Sequence, residues 1–137
     1  MPKKIETLTV DAFMPFGTLL QFTEKKNDGW EIRVTSESDG WRIALLEFDR
    51  RKADTLEYHP HSKESFEPVS GVSLLIVADF DTPDDYRVFL LDQPICLNEQ
   101  VWHQVISLSE KTMVKITENL EVGCVYHTLD HQIEPYL

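Results

Sequence analysis

The chain has 137 residues, of which 42% are hydrophobic, and its formal net charge is −11. This length predicts one domain over residues 1–137, and the apolar content is too high for a disordered chain. The acidic balance argues against nucleic acid and anionic membranes as partners, because both need clustered basic residues, and no apolar run is long enough to span a bilayer.

The first predicted element is a short helical turn near the start of the chain. Thr9 can cap a helix over Val10–Met14, which Pro15 and Gly17 would end. The chain then becomes typical of a β protein.

A hairpin is predicted next. The segment Trp30–Val34 alternates apolar and polar residues, as a half-buried strand does, and Asp39-Gly40 is a strong turn signal. We therefore expect Trp30–Val34 to pair with a second strand over Trp41–Phe48.

The remainder of the chain alternates short apolar stretches with turn signals. Further strands are predicted over Thr55–His59, Val72–Val77, Tyr86–Leu91, Val101–Leu108, Met113–Thr117 and Val122–Leu129. Together with the hairpin these make eight short strands, and no long helical pattern competes with them. The sequence therefore predicts an all-β sandwich or barrel.

The cysteines and the N-terminal residues bear on location. Cys96 and Cys124 match no zinc-binding spacing, and the first residues do not resemble a signal peptide. We therefore expect two reduced thiols in a cytoplasmic protein.

Two histidine-containing segments resemble the two cupin motifs. The first reads His59-x-His61-x-x-Glu64 and is closed by Gly71, and the second ends in His103. In metal-binding cupins the four corresponding side chains converge in the barrel around one divalent ion. Imidazoles and a carboxylate suit a transition metal with open coordination positions. The alternative is that Pro60 breaks the strand, so that His59 and His61 lie in a surface turn.

Longer strings resemble the ureidoglycolate lyase family of the cupin superfamily. Residues 8–17 read Leu-Thr-x-x-Ala-Phe-x-Pro-Phe-Gly, which is similar to the opening of that family. The other matching strings, in chain order, are Glu57–Pro60, Ser65–Pro68, Leu74–Ala78, Tyr86–Leu90 and Val101–His103. The resemblance implies a cupin double-stranded β-helix, also called a jelly-roll barrel, that is usually a homodimer.

The resemblance also implies an activity, namely the cleavage of ureidoglycolate, or of a related small hydroxy acid, to glyoxylate and urea in allantoin degradation, a part of purine catabolism. The reaction would be an acid/base-assisted elimination with His59 and His103 as the catalytic residues. One divalent ion (Zn, Ni, Mn or Fe) would be held by His59, His61, Glu64 and His103. The implied substrate-binding residues are Phe66, Asn98, Trp102 and Gln104.

Two departures from the family pattern keep other functions open. Asn98 and Gln104 stand where the family usually has histidines, whereas His61 stands where it often has a residue that binds no metal. The alternatives are a metal-binding cupin enzyme of another reaction type and a small-metabolite-binding cupin without catalysis.

Overall fold

Eleven short strands and one helical turn make up the described structure, a computed structural model that covers residues 3–23, 31–38 and 40–134. The helix α1 spans Val10–Phe13. The strands are β1 Ile5–Glu6, β2 Gly17–Leu19, β3 Arg42–Phe48, β4 Ala53–Tyr58, β5 Glu64–Ser70, β6 Ser73–Ala78, β7 Arg87–Leu90, β8 Ile95–Leu97, β9 Trp102–Ser107, β10 Thr112–Glu118 and β11 Val125–Ile133. No helix among the described residues is long and apolar enough to cross a membrane.

The strands form two sheets. One has the order β1-β7-β6-β9-β4-β11 and the other the order β2-β8-β5-β10-β3. Neighbours are antiparallel except β1 and β7. This arrangement confirms the prediction of an all-β jelly-roll barrel with a short N-terminal helical turn.

Strand β6 lies in the middle of its sheet, and all six of its residues are buried. Leu75 and Val77 belong to the main core, which also contains Phe66 from the opposite sheet, whereas Leu74 and Ile76 belong to a second apolar cluster. Because successive side chains on a strand point to opposite faces, the main core lies between the two sheets and the second cluster lies on the far face of the six-stranded sheet.

The helical turn packs onto the main core. Thr9 caps it as predicted, because its Oγ1 accepts a hydrogen bond from the Ala12 backbone N–H at 3.2 Å. The buried ring of Phe13 contacts the ring of Phe89 edge to face, with 5.3 Å between centroids. This contact stabilises the helix, which is too short to be stable alone.

The predicted hairpin is wrong within the described residues. Trp30 and Asp39 lie outside them, and residues 31–34 form no strand. Strand β3 instead pairs with β10. The segment that follows Trp30 is held by side chains, since the Arg33 guanidinium donates to the Gln21 carbonyl oxygen at 2.9 Å.

The predicted strands from Thr55 onward are confirmed with shifts of a few residues at their ends. Strand β5 escaped prediction because it contains a proline and begins with buried polar side chains, Glu64 and Ser65, which a hydrophobicity pattern assigns to a surface. The short strand β8 was also missed. Strand β5 matters most, because it carries part of the candidate site.

Candidate metal and catalytic centre

Two histidines that are distant in the sequence meet inside the barrel. His59 follows the last residue of β4, and His103 is the second residue of β9. Both side chains are buried, and their ring centroids are 5.1 Å apart. His103 lies directly opposite Val77 of the main core, so its ring points between the sheets.

Backbone carbonyls fix the orientation of both rings. Nδ1 of His59 lies 3.0 Å from the Gly123 carbonyl oxygen, and Nδ1 of His103 lies 2.9 Å from the Val101 carbonyl oxygen. Because a carbonyl oxygen can only accept, each Nδ1 carries a hydrogen and donates it. The Nε2 atoms of both rings therefore face the interior of the site.

A single carboxylate oxygen lies between these two Nε2 atoms. Oε1 of Glu64, the first residue of β5, is 3.0 Å from Nε2 of His59 and 2.9 Å from Nε2 of His103. Both distances are within hydrogen-bonding range, but the neutral rings carry their hydrogens on Nδ1 and have none on Nε2 to donate. Among the described residues, Glu64 Oε1, His103 Nε2 and Glu118 Oε1 are buried without a hydrogen-bond partner.

This arrangement requires positive charge in the site. When the imidazoles are neutral and their hydrogens sit on Nδ1, the lone pairs of Nε2 face the lone pairs of a buried carboxylate, and such unpaired polar atoms are costly. A proton or a metal ion between the atoms removes this cost. The donor set of imidazole nitrogen and carboxylate oxygen suits a divalent transition metal.

The pKa shifts follow from the same contacts. Burial alone would raise the pKa of Glu64, but the two histidines outweigh it and lower the pKa to about 2. Burial lowers the pKa of His59, but the Glu64 carboxylate outweighs it and raises the pKa to about 9; the pKa of His103 is raised for the same reason. Without an ion, protons therefore supply the positive charge near neutral pH.

Two further carboxylates face the pair of rings, and sequence reasoning missed both. Glu57 lies directly opposite His103 across β4 and β9, and its Oε1 is 3.7 Å from His103 Nε2. Glu118, the last residue of β10, has Oε1 3.8 Å from His59 Nε2. The alternation of side-chain direction along a strand could have identified them, because residues two apart lie on the same face. Glu57 lies two residues before His59, and Glu118 lies two residues after the buried Ile116.

His61 does not join this cluster. Strand β4 ends at Tyr58, and Pro60 and His61 form a turn. His61 is exposed there, and its carbonyl oxygen accepts from Asn119 Nδ2 at 2.8 Å. The two-residue spacing places side chains on one face only along a continuous strand, and Pro60 ends that continuity.

The predicted substrate-binding residues are divided among three places. Phe66 lies beside the site, with its ring 5.8 Å from the His103 ring. Trp102 and Gln104 flank His103 on β9, so they point to the far face of the sheet, where Trp102 belongs to the second apolar cluster. Asn98 is exposed in the turn that follows β8.

Comparisons with known proteins agree with this architecture. The sequence profile of the family described as ureidoglycolate lyase matches residues 3–134. The chain is similar to ureidoglycolate lyase of Agrobacterium fabrum (strain C58), at 33% identity over 73% of each chain. It is also similar to ureidoglycolate lyase of Rhizobium etli (strain CIAT 652), at 30% identity over 72% of each chain.

Among solved structures, the chain resembles a variant of oxalate decarboxylase from Bacillus subtilis. The TM-score is 0.50 at 18% identity, over 67% of this chain and 24% of that chain. This likeness supports the cupin barrel fold and nothing finer.

Proposed function

The chain belongs to the ureidoglycolate lyase family, and on that premise we propose that it cleaves ureidoglycolate to glyoxylate and urea at the centre formed by His59, Glu64 and His103. The observation that carries the proposal is the convergence of two buried imidazoles on one buried carboxylate oxygen, at 3.0 and 2.9 Å. Such convergence of titratable groups inside a barrel is typical of a reaction centre rather than of a structural core.

We propose that His59, Glu64 and His103 hold one divalent ion. The fit is supported by the buried His103 Nε2 and Glu64 Oε1, which have no hydrogen-bond partner among the described residues and face each other. When bound, the ion would attract the negative charge of the substrate and lower the pKa of its hydroxyl group. This donor set suits Zn, Ni, Mn and Fe alike.

The proton transfers then need a group that does not bind the ion, and we assign them to Glu57. Its side chain is 31% exposed, against 3% for His103 and 7% for Glu64, so it can meet a substrate that enters the site. The Glu57 carboxylate removes the hydroxyl proton, the C–N bond breaks as the carbonyl of glyoxylate forms, and the leaving nitrogen takes that proton to give urea. One carboxylate can reach both atoms because the hydroxyl oxygen and the nitrogen are bonded to the same carbon.

This assignment changes the sequence-based roles of His59 and His103. Acid/base catalysis by the imidazoles themselves stays a prediction, which applies if the site holds protons instead of a metal. The two mechanisms differ in what they expect of Glu57, and that difference can be measured.

The test measures glyoxylate release from ureidoglycolate by the purified, metal-loaded protein. A coupled assay that reduces the glyoxylate detects the product. We expect Glu57→Gln to lower kcat by about 100-fold or more while metal content is unchanged. His61→Ala is the matched control and should keep both. No glyoxylate release from preparations loaded with any of the four metals would refute the lyase, and full activity of Glu57→Gln would refute the role of Glu57.

We further propose a homodimer and a cytoplasmic location. The dimer is supported by the family resemblance and by Ile43 and Leu45 of β3, which are exposed on the outer face of the sheet. The location is supported by Cys96 and Cys124, which are both free thiols, since free thiols are typical of reducing compartments. Burial raises the pKa of Cys96 to about 11, so this thiol is unreactive.

A further inference from the structure

We propose that Glu118 is the fourth ligand of the divalent ion and that Arg42 positions the Glu118 carboxylate. Glu118 would then have the ligand role that the first cupin motif assigns to His61. This inference rests on the metal centre proposed above, but not on the reaction that the centre performs. It concerns two residues that lie outside both cupin motifs.

The pairing of β5 with β10 brings two carboxylates face to face. Glu118 lies directly opposite Glu64 in the antiparallel register, and both side chains are more than nine-tenths buried. Like charges directly opposite each other on one face destabilise a sheet. A cation bound between the two carboxylates turns this repulsion into attraction, which accounts for two acidic residues at opposite positions.

Arg42 determines which oxygen of Glu118 faces the site. Nε and Nη2 of Arg42, on the neighbouring strand β3, both donate to Glu118 Oε2, at 2.9 and 2.8 Å. Oε2 is thereby satisfied, whereas Oε1 is buried and has no hydrogen-bond partner within the described ranges. A ligand whose second atom is fixed by an outer partner is the usual arrangement in metal sites.

The distances suit ligands of one ion. Glu118 Oε1 is 3.8 Å from His59 Nε2, which is too long for a hydrogen bond. Neighbouring ligands with bonds of about 2.1 Å lie about 3.0–3.4 Å apart, depending on geometry. Glu64 Oε1 at 3.0 Å from the same nitrogen is already in that range, and Glu118 Oε1 is within a small side-chain movement of it.

The charges and the burial also favour Glu118 over Glu57 as the fourth ligand. Glu64 and Glu118 together carry a formal charge of −2, which a divalent ion neutralises, while the imidazoles bind it in their neutral form. Arg42 and Glu57 then balance each other. The Glu57 side chain is 31% exposed and can be hydrated, whereas the Glu118 side chain is 8% exposed. The buried Glu118 carboxylate therefore has the greater need of a metal ion as its partner.

The experiment measures metal affinity on the full chain by competition with a chelator, using Zn²⁺ and, for its visible absorption, Co²⁺. We expect Glu118→Gln to weaken binding by more than about 100-fold and Arg42→Met by about 10-fold, because loss of a ligand exceeds loss of its outer partner. His61→Ala is the matched control and should bind within about twofold of the unmodified protein. Circular dichroism confirms folding, and Glu118→Asp should bind Co²⁺ with a shifted absorption band.

Several outcomes would overturn the inference. One is Glu118→Gln binding as tightly as the unmodified protein, and another is His61→Ala losing affinity instead. Absence of any 1:1 metal binding by the unmodified protein overturns it as well, even if glyoxylate is released. Conversely, Glu118-dependent metal binding without glyoxylate release would support this inference and remove the lyase.

Discussion

At the scale of single residues, the direction of one side chain decides whether it belongs to the site. Trp102, His103 and Gln104 are consecutive on β9, yet only His103 points between the sheets. Its Nδ1–H is held by the Val101 carbonyl, so its Nε2 faces the carboxylates of Glu64 and Glu57. Neighbours in sequence are therefore the best controls for one another.

We predict that His103→Ala abolishes 1:1 binding of Zn²⁺ at micromolar concentrations, because it removes one ring nitrogen and leaves Glu64 buried without that partner. Gln104→Ala should retain binding, since Gln104 hydrogen-bonds Arg50 and the Thr55 carbonyl on the far face of the sheet. Calorimetric titration of both variants provides the measurement. Equal losses in the two variants would mean that the faces are assigned wrongly.

The sequence could predict three members of this site and not the others. His59, Glu64 and His103 lie at motif spacings, and such spacings survive in the linear sequence. Glu57 and Glu118 belong to the site through pairing across strands, which no local pattern contains. His61 had the right spacing but lies in a turn, because the chain leaves the strand at Pro60.

At the scale of elements, the tight turn between β5 and β6 connects the two sheets. Gly71 in this turn has φ +79°, and a Cβ there would overlap the Lys111 carbonyl oxygen. Both the backbone angle and the close approach require glycine. The sequence marked Gly71 as the end of the first cupin motif, and this is its physical reason.

We predict that Gly71→Ala lowers the free energy of unfolding by about 2 kcal/mol, from strain at positive φ together with the backbone overlap. Gly123→Ala is the matched control, because a Cβ at Gly123 has no atom within 4 Å. Its effect should be smaller than about 1 kcal/mol in either direction. Urea unfolding followed by tryptophan fluorescence gives both values, and similar values for the two variants would contradict the argument.

The edge strand β1 is joined to β7 by a partly buried ion pair. Its Glu6 carboxylate accepts two hydrogen bonds from Arg87 of β7, at 2.6 and 2.9 Å, and this contact lowers the pKa of Glu6 below its ordinary 4.5. Because the folded-state pKa is the lower one, the ion pair stabilises the fold above pH 4.5, and the contribution is lost as the pH falls through the folded-state value.

We therefore expect Glu6→Gln to lower the free energy of unfolding by less than about 1 kcal/mol at neutral pH, since the pair is partly exposed. The difference from the unmodified protein should shrink as the pH falls below 4.5, because the Glu6 carboxylate becomes protonated and the ion pair is lost. Urea unfolding at several pH values measures it. A difference that does not shrink as the pH is lowered would exclude the ion pair as its cause.

Elements were predictable where apolar periodicity was strong and not elsewhere. Strand β6 is a continuous apolar run and was found, because burial on both faces leaves an unmistakable composition. Of the strand expected over Trp30–Val34, the described residues 31–34 form no strand, and β3 has β10 as its neighbour. Alternation shows that a segment can be half-buried, whereas a strand also requires a neighbour.

At the scale of the whole molecule, the outer face of β3 is the surface best suited to self-association. Ile43 and Leu45 are 54% and 66% exposed, and Trp41 beside them is 67% exposed. Within the described residues β3 has a single neighbour, β10, and it is the last strand of its sheet. Exposed apolar side chains grouped on one outer face favour contact with a second copy of the chain.

We predict a solution mass of about 32 kDa, twice the 15.9 kDa of one chain, by light scattering after size-exclusion chromatography. Leu45→Glu should give the mass of a single chain, because it places a charge in the contact. Val10→Glu is the control, since Val10 is 51% exposed on the helical turn and away from β3. A single-chain mass for the unmodified protein would refute the dimer.

The two faces of strand β3 have different contacts. Arg42 points inward and binds Glu118, whereas the next residue, Ile43, points outward and is exposed. If a second subunit rests on that outer side, its departure loosens the strand that holds the arginine. Dilution would then weaken ion affinity without any change in the ligands themselves. The catalyst would work best where it is abundant, and its activity per molecule would fall as the protein becomes scarce.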